Sequence, residues 1–155
     1  MADEWDRALE PLQRIAFDAN AIIYLLEGVH PHAGLVQRAL WQVERGKAAG
    51  VIPAIVEMEI LVRPLREDRL DVVEQVDFLL SNVRNLTVRE IDSGVARIAA
   101  GLRAHNRLKP PDALVGAAAI AEGCDAIIGN DYEFAKRVTG IEYLRLDDYV
   151  AEGSV

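Results

Sequence analysis

Cysteine is almost absent from this chain: Cys124 is the single one in 155 residues. No internal disulfide can form, so packing must hold the fold, as suits a reducing compartment such as the cytoplasm. Cys124 lies in an Ala/Gly-rich stretch, AIAEGCDAI, and reads as a small buried residue rather than a reactive thiol. Histidine is scarce too, at three residues. His30 and His32 flank Pro31, but only one further histidine and no nearby cysteine exist to complete a zinc set, so VHPHAG reads as a polar turn. No apolar run approaches the roughly 20 residues that span a bilayer as a helix, so no membrane partner is expected. The opening MADEWDRALE is acidic and has no apolar h-region, so a secretory signal is not expected either. Positive charge is in deficit, with 17 Lys and Arg against 25 Asp and Glu and a net charge of −8. That excludes attraction of nucleic acid by a bulk positive field. It does not exclude a nucleic-acid enzyme, because carboxylates that hold metal ions count as negative until the ions bind.

What is present is a globular composition, 51% hydrophobic and 27% charged, at a length that buries a substantial core in one domain. Residues 1–13 form an N-terminal extension in which Trp5, Ala8, Leu9 and Leu12 recur at helical spacing. Residues 14–150 read as a single domain and 151–155 as a C-terminal tail. Within the domain, short apolar runs at 15–17, 50–52 and 126–129 predict buried strands, and 86–88 and 141–144 predict two more strands. Between them, helical periodicity predicts helices over 21–26, 35–43, 54–62, 70–80, 93–102, 114–122 and 132–138. Pro53 and Pro110 suit first helical turns, Gly123 suits a helix end, and Pro64 is expected to break the helix that precedes it. Strands alternating with helices predict a three-layer α/β/α fold around a central, mostly parallel sheet of about five strands.

In such sheets ligands sit beyond the carboxyl ends of the strands. Asp18 leaves the first strand there, and Asp131, after Asn130, leaves the fourth. Glu59 lies in an apolar stripe with Ile55, Val56 and Ile60. Asp112 stands in the first turn of the helix opened by Pro110 and Pro111. Glu57 competes with Glu59, since residues two apart on a helix face about 200° from each other and both have apolar neighbours in a helix that reads as buried nearly all round. Each acid has a plain structural reading: Asp18 and Asp131 as helix caps, Asp112 as a dipole partner, Glu59 as one half of an ion pair. Together, four acids on one edge would repel one another unless divalent cations joined them, and oxygen ligands suit Mg²⁺ or Mn²⁺. A basic stretch, RAHNRLK, with Arg103, Arg107 and Lys109, precedes Pro110. It reads equally as a solvated helix end or as a phosphate contact.

At these residues the chain resembles the PIN-domain ribonucleases, particularly the VapC-type toxins of prokaryotic toxin–antitoxin pairs. FDANAIIYLLEG resembles the family's strand–Asp–helix opening, with Asp18 as first acid. IPAIVEMEILVRPLR resembles the second block and registers Glu59, rather than Glu57, as the family acid. PPDALVGAAAIAEGCDAIIGND resembles the third and fourth blocks, placing Asp112 and Asp131. The match spans residues 15–149. Two positions depart from the pattern: Ala19 stands where a small hydroxyl residue is common, although Asn20 fits, and Gly129-Asn130-Asp131 replaces Thr-Asn-Asp. Both departures remove hydroxyls that would support the acids. The extension ahead of the first strand is longer than in the typical toxin.

The resemblance implies a Mg²⁺- or Mn²⁺-dependent endoribonuclease with Asp18, Glu59, Asp112 and Asp131 as catalytic metal ligands. It makes Asn20, Asn130, Arg103, Arg107 and Lys109 candidate substrate contacts. It implies an RNA substrate, a cognate antitoxin and a homodimer. The alternative is a PIN-like module that binds RNA or protein without cleaving it. Other phosphotransfer folds with a strand-end aspartate fit less well. A haloacid-dehalogenase-type phosphatase wants a second Asp where Asn20 stands, and a receiver domain wants a lysine after a late strand, whereas none follows Ile128 before Lys136.

Overall fold

The computed structural model describes residues 2–150; the tail at 151–155 lies outside the described residues. Five strands, β1 (Arg14–Phe17), β2 (Ala49–Pro53), β3 (Leu86–Arg89), β4 (Ala126–Gly129) and β5 (Glu142–Arg145), form one sheet in the order β3-β2-β1-β4-β5. All four pairings are parallel, so the sheet is wholly rather than mostly parallel. Ile15, Ala16 and Phe17 are all inaccessible to solvent. Successive residues of a strand point to opposite faces, so β1 is covered on both sides and the three-layer arrangement follows.

The helices are α1 (Glu4–Leu9), α2 (Ala19–Glu27), α3 (His32–Glu44), α4 (Ala54–Arg66), α5 (Leu70–Asn82), α6 (Ser93–Asn106), α7 (Pro110–Ala121) and α8 (Tyr132–Arg137), with a final 3-10 turn at Leu146–Tyr149. Strand order reverses beside β1: β2 and β3 build out on one side, β4 and β5 on the other. This switch point opens a crevice between the carboxyl ends of β1 and β4.

The N-terminal extension is part of the core. Asp3 and Asp6 form a reciprocal capping box at the start of α1. Trp5 is 1% exposed. Its indole N–H donates to the Leu35 carbonyl at 2.9 Å, and its ring meets Tyr149 edge-on at 4.9 Å. Leu9 and Leu12 are buried in the same core. Arg38 reaches back from α3 to Asp3 and Asp6, and Lys47 to Glu10. Cys124 is half-buried, and burial pushes its thiol up to about 12, which leaves it protonated and unreactive at neutral pH.

Two expectations about α4 need correction. Pro64 does not end the helix, which runs on to Arg66. Proline removes only its own N–H, whose partner would be the Ile60 carbonyl, and so little helix follows that one lost bond is tolerated. Nor is α4 buried all round: Val56 and Ile60 are buried, whereas Met58, Val62 and Leu65 are exposed. Glu59, Ile60 and Arg63 of α4 border an open groove of about 510 Å³ shared with Ile23, Leu26 and Val72.

Gly50 is required by a close approach. A Cβ there would come within 2.8 Å of Leu86 Cδ1 and about 3 Å of both Val43 methyls. Gly50→Ala is expected to overpack this contact and destabilise the fold by roughly 1–3 kcal/mol, read as a lower midpoint in urea unfolding.

Candidate active site

The crevice is built from strand ends. The Asp18 N–H donates to the Ile128 carbonyl at 2.9 Å, extending the β1–β4 ladder by one residue and holding the acid at the switch point. Asp18 then turns extended backbone into α2 as its N-cap. One carboxylate oxygen, Oδ1, accepts from the Ala19 N–H at 2.8 Å, and the other, Oδ2, accepts from the Tyr143 hydroxyl at 2.9 Å. Asp18 is 6% exposed and is the one buried charged residue among the described residues. Burial raises its pKa to about 7, with Asp112 and Glu59 adding to the rise and the two hydrogen bonds opposing it.

Asp112 occupies the first turn of α7, behind Pro110 and Pro111. Its pKa is raised by burial first and then by the charge of Asp131, against the opposing charge of Lys109. Glu59, half-buried on α4, is raised by burial and by Asp112. Asp131 caps α8, its Oδ1 accepting from the Phe134 N–H at 3.0 Å. The four acids come from four separate segments, and Asp112 is the one whose field couples to all the others. Glu57, two residues before Glu59 on α4, faces about 200° away from it.

Among the described residues none of the four acids is in an ion pair. Nor do any three His, Cys, Asp or Glu side chains close into a preformed cation cage. The donor set nevertheless suits a hard divalent cation. It consists of carboxylate oxygens, and Asp18 spends one acceptor site on each oxygen while an ionised carboxylate offers about four. A nearly buried carboxylate with no cationic partner is the charge such an ion would neutralise.

The other candidate residues surround this cluster. Asn20 Oδ1 accepts from the Asn130 N–H at 3.0 Å. The Asn130 side chain donates to the Tyr24 hydroxyl at 3.1 Å and accepts from the Asp147 N–H at 2.9 Å. The two asparagines therefore clamp the turn after β4 onto α2. Asp147 in turn holds His32 at 2.6 Å. Arg103 in the last turn of α6, and Arg107 and Lys109 on the connection to α7, are exposed just ahead of Asp112. Arg103 Nε donates to the Leu108 carbonyl, and Arg107 caps α6 in the left-handed conformation at φ 56°.

Tyr143 was not singled out from the sequence. Besides donating to Asp18, its hydroxyl accepts from the Asp131 N–H at 3.1 Å. The signal that could have found it is the pair of missing hydroxyls at Ala19 and Gly129, which leaves the first acid in need of another donor.

A family model described as PIN domain matches residues 15–139. No curated protein matches the chain. Among solved structures, the chain is similar to VapBC2 from Rickettsia felis bound to a DNA fragment from its promoter, at 17% identity and a TM-score of 0.71, over 86% of this chain and 98% of that one. It is similar to a toxin–antitoxin complex from Klebsiella pneumoniae at 22% identity and a TM-score of 0.62, over 85% and 97% of the two chains. It is similar to DNA-bound VapBC from Salmonella typhimurium at 20% identity and a TM-score of 0.66, over 86% and 98%.

Proposed function

The chain belongs to the PIN-domain family, and from that premise we propose that it is a Mg²⁺- or Mn²⁺-dependent endoribonuclease, the toxin of a toxin–antitoxin pair. The observation that carries this reading is that four acids without ion-pair partners among the described residues meet at the switch point of a parallel sheet, with Asp18, Glu59 and Asp131 each linked by charge to Asp112. Asp18, Glu59, Asp112 and Asp131 would hold the ion or ions, directly or through water. A bound divalent ion supplies a water of lowered pKa and neutralises charge on the scissile phosphate. Asp112, whose charge acts on Asp18 and Glu59 and which Asp131 acts on in turn, would orient the attacking water. Arg103, Arg107 and Lys109 offer phosphate contacts beside it. Asn20 and Asn130 hold the turn that presents Asp131 and complete the substrate-facing rim. Residues 14–150 act as one nuclease unit, with 1–13 as its built-in extension.

The partner reading rests on exposed apolar surface. Trp41 and Phe78, 53% and 66% exposed, border a second groove of about 370 Å³ with Leu25, Leu40 and Val83. A soluble monomer rarely leaves such a patch uncovered, and an antitoxin or a second copy of the chain would cover it. The solved toxin–antitoxin complexes that share the fold support this.

Purified protein is expected to cleave a mixed RNA pool with Mn²⁺ and to stop when EDTA removes the ion. An intact pool, with no heat on Mn²⁺ titration, would overturn the reading. RNA binding under those conditions would point to a binding module.

A further inference from the structure

Position 129 and Tyr143 compete for one space. A Cβ built on Gly129 would overlap the Tyr143 hydroxyl and come within 2.8 Å of both Tyr143 Cζ and Asp18 Cβ. Either residue 129 carries a side chain or a tyrosine on β5 reaches the end of β1, and here the glycine gives way. The Tyr143 ring is held from behind by Phe134, with centroids 4.8 Å apart. With Asp18 ionised, as a bound cation would keep it, the direction of the Tyr143 hydroxyl proton is forced. The Asp131 N–H can only donate, so the phenol oxygen accepts from it at 3.1 Å, and the phenol O–H is left to donate to Asp18 Oδ2 at 2.9 Å. One oxygen atom, delivered from β5, thus ties the side chain of the acid after β1 to the backbone of the acid after β4. Tyr143 lies beyond residues 15–139, the span that the family model covers.

We propose that Tyr143 is a positioning residue of the acid site: its hydroxyl, seated in the space that Gly129 leaves, holds the Asp18 carboxylate and the Asp131 backbone in the relative placement that a divalent cation requires. The inference rests on the metal-site reading above. A competing role, packing against Phe134, uses only the ring. Tyr143→Phe keeps the ring and removes the hydroxyl, so it separates the two.

The test titrates Mn²⁺ calorimetrically into the full-length wild type and into Tyr143→Phe, alongside thermal melts and RNA-cleavage kinetics at saturating Mn²⁺. The expected result is a Mn²⁺ affinity about tenfold weaker in the variant, a lower kcat with KM for RNA nearly unchanged, and a metal-free melting temperature within a few degrees of wild type. Wild-type protein that gives no heat with Mn²⁺ overturns the metal-site reading and this inference with it. Wild type that binds while Tyr143→Phe binds within about twofold overturns the role of Tyr143 alone. If Tyr143→Phe does not fold, wild-type protein labelled with ¹³C at tyrosine Cζ decides. The chain has four tyrosines, and the Tyr143 signal is the one that survives separate replacement of Tyr24, Tyr132 and Tyr149 by phenylalanine. A shift of that signal on adding Mg²⁺ supports the proposal, and an unmoved signal overturns it.

Discussion

Asp18→Asn is expected to lower RNA cleavage by about 10²-fold or more, while making the metal-free protein less sensitive to alkaline pH. Both effects follow from one buried charge. In the folded chain the Asp18 pKa is raised to about 7 from 3.8, chiefly by burial. Between those values the folded state holds a proton that the unfolded state has released. The stabilising contribution is therefore fully present below about pH 4 and is lost as pH rises through about 7, at a slope of up to about 1.4 kcal/mol per pH unit. Glu59 and Asp112 are raised as well and act with the same sign. The lowered surface acids Asp92 and Asp147 act oppositely, but their effect is complete above about pH 4 and does not touch the window from pH 5 to 8. Wild-type melts in EDTA should fall in temperature from pH 5 to pH 8. The Asp18→Asn variant should fall less, because its amide carries no charge to bury. Mn²⁺ at pH 8 should recover the wild type more than the variant. A wild-type melting temperature that rises over that interval in EDTA would contradict the electrostatic account of the site.

Trp5→Ala is expected to be the most damaging single change outside the site, at about 3–5 kcal/mol, or a melting temperature lower by roughly 10 °C. The indole is almost wholly buried, and its N–H has a partner in the Leu35 carbonyl. Truncation leaves a cavity against Tyr149 and orphans an acceptor on α3. Urea unfolding would check this, as would removal of residues 1–13, which should be at least as severe. An unchanged midpoint would mean that α1 only decorates the domain. The ion pairs of α1 with Arg38 and Lys47 are partly exposed and add little beside the indole.

The inner strands β1, β2 and β4 were legible because each is a short apolar run buried on both faces, whereas β3 and β5 at the sheet edges are only partly buried. β1, β2 and β4 lie within a residue or two of the expected spans, and β5 is shifted by one, from 141–144 to Glu142–Arg145. Exposure on α4 and α5 was not legible. α4 reads as buried nearly all round, yet Met58, Val62 and Leu65 are exposed, and Phe78 on α5 borders an open groove, because periodicity reports which residues share a face and not whether that face is covered. The choice between Glu57 and Glu59 was beyond helical phase for the same reason. It turns on which side of α4 looks toward Asp112, a matter of how the helix docks.

By itself the sequence determined the alternation of strands and helices, and hence a parallel sheet with Asp18 and Asp131 at strand ends and Asp112 at a helix start. These are local properties, readable from apolar period and from proline and glycine punctuation. Tertiary structure alone decided the strand order that seats β1 between β2 and β4 and the docking that couples Glu59 to Asp112. It alone decided that Tyr143 reaches across from β5 into the space above Gly129. The physical reason is that these are contacts between residues far apart in the chain, chosen by how whole faces pack. A hydroxyl missing at one position can then be supplied from another strand, which no local pattern records.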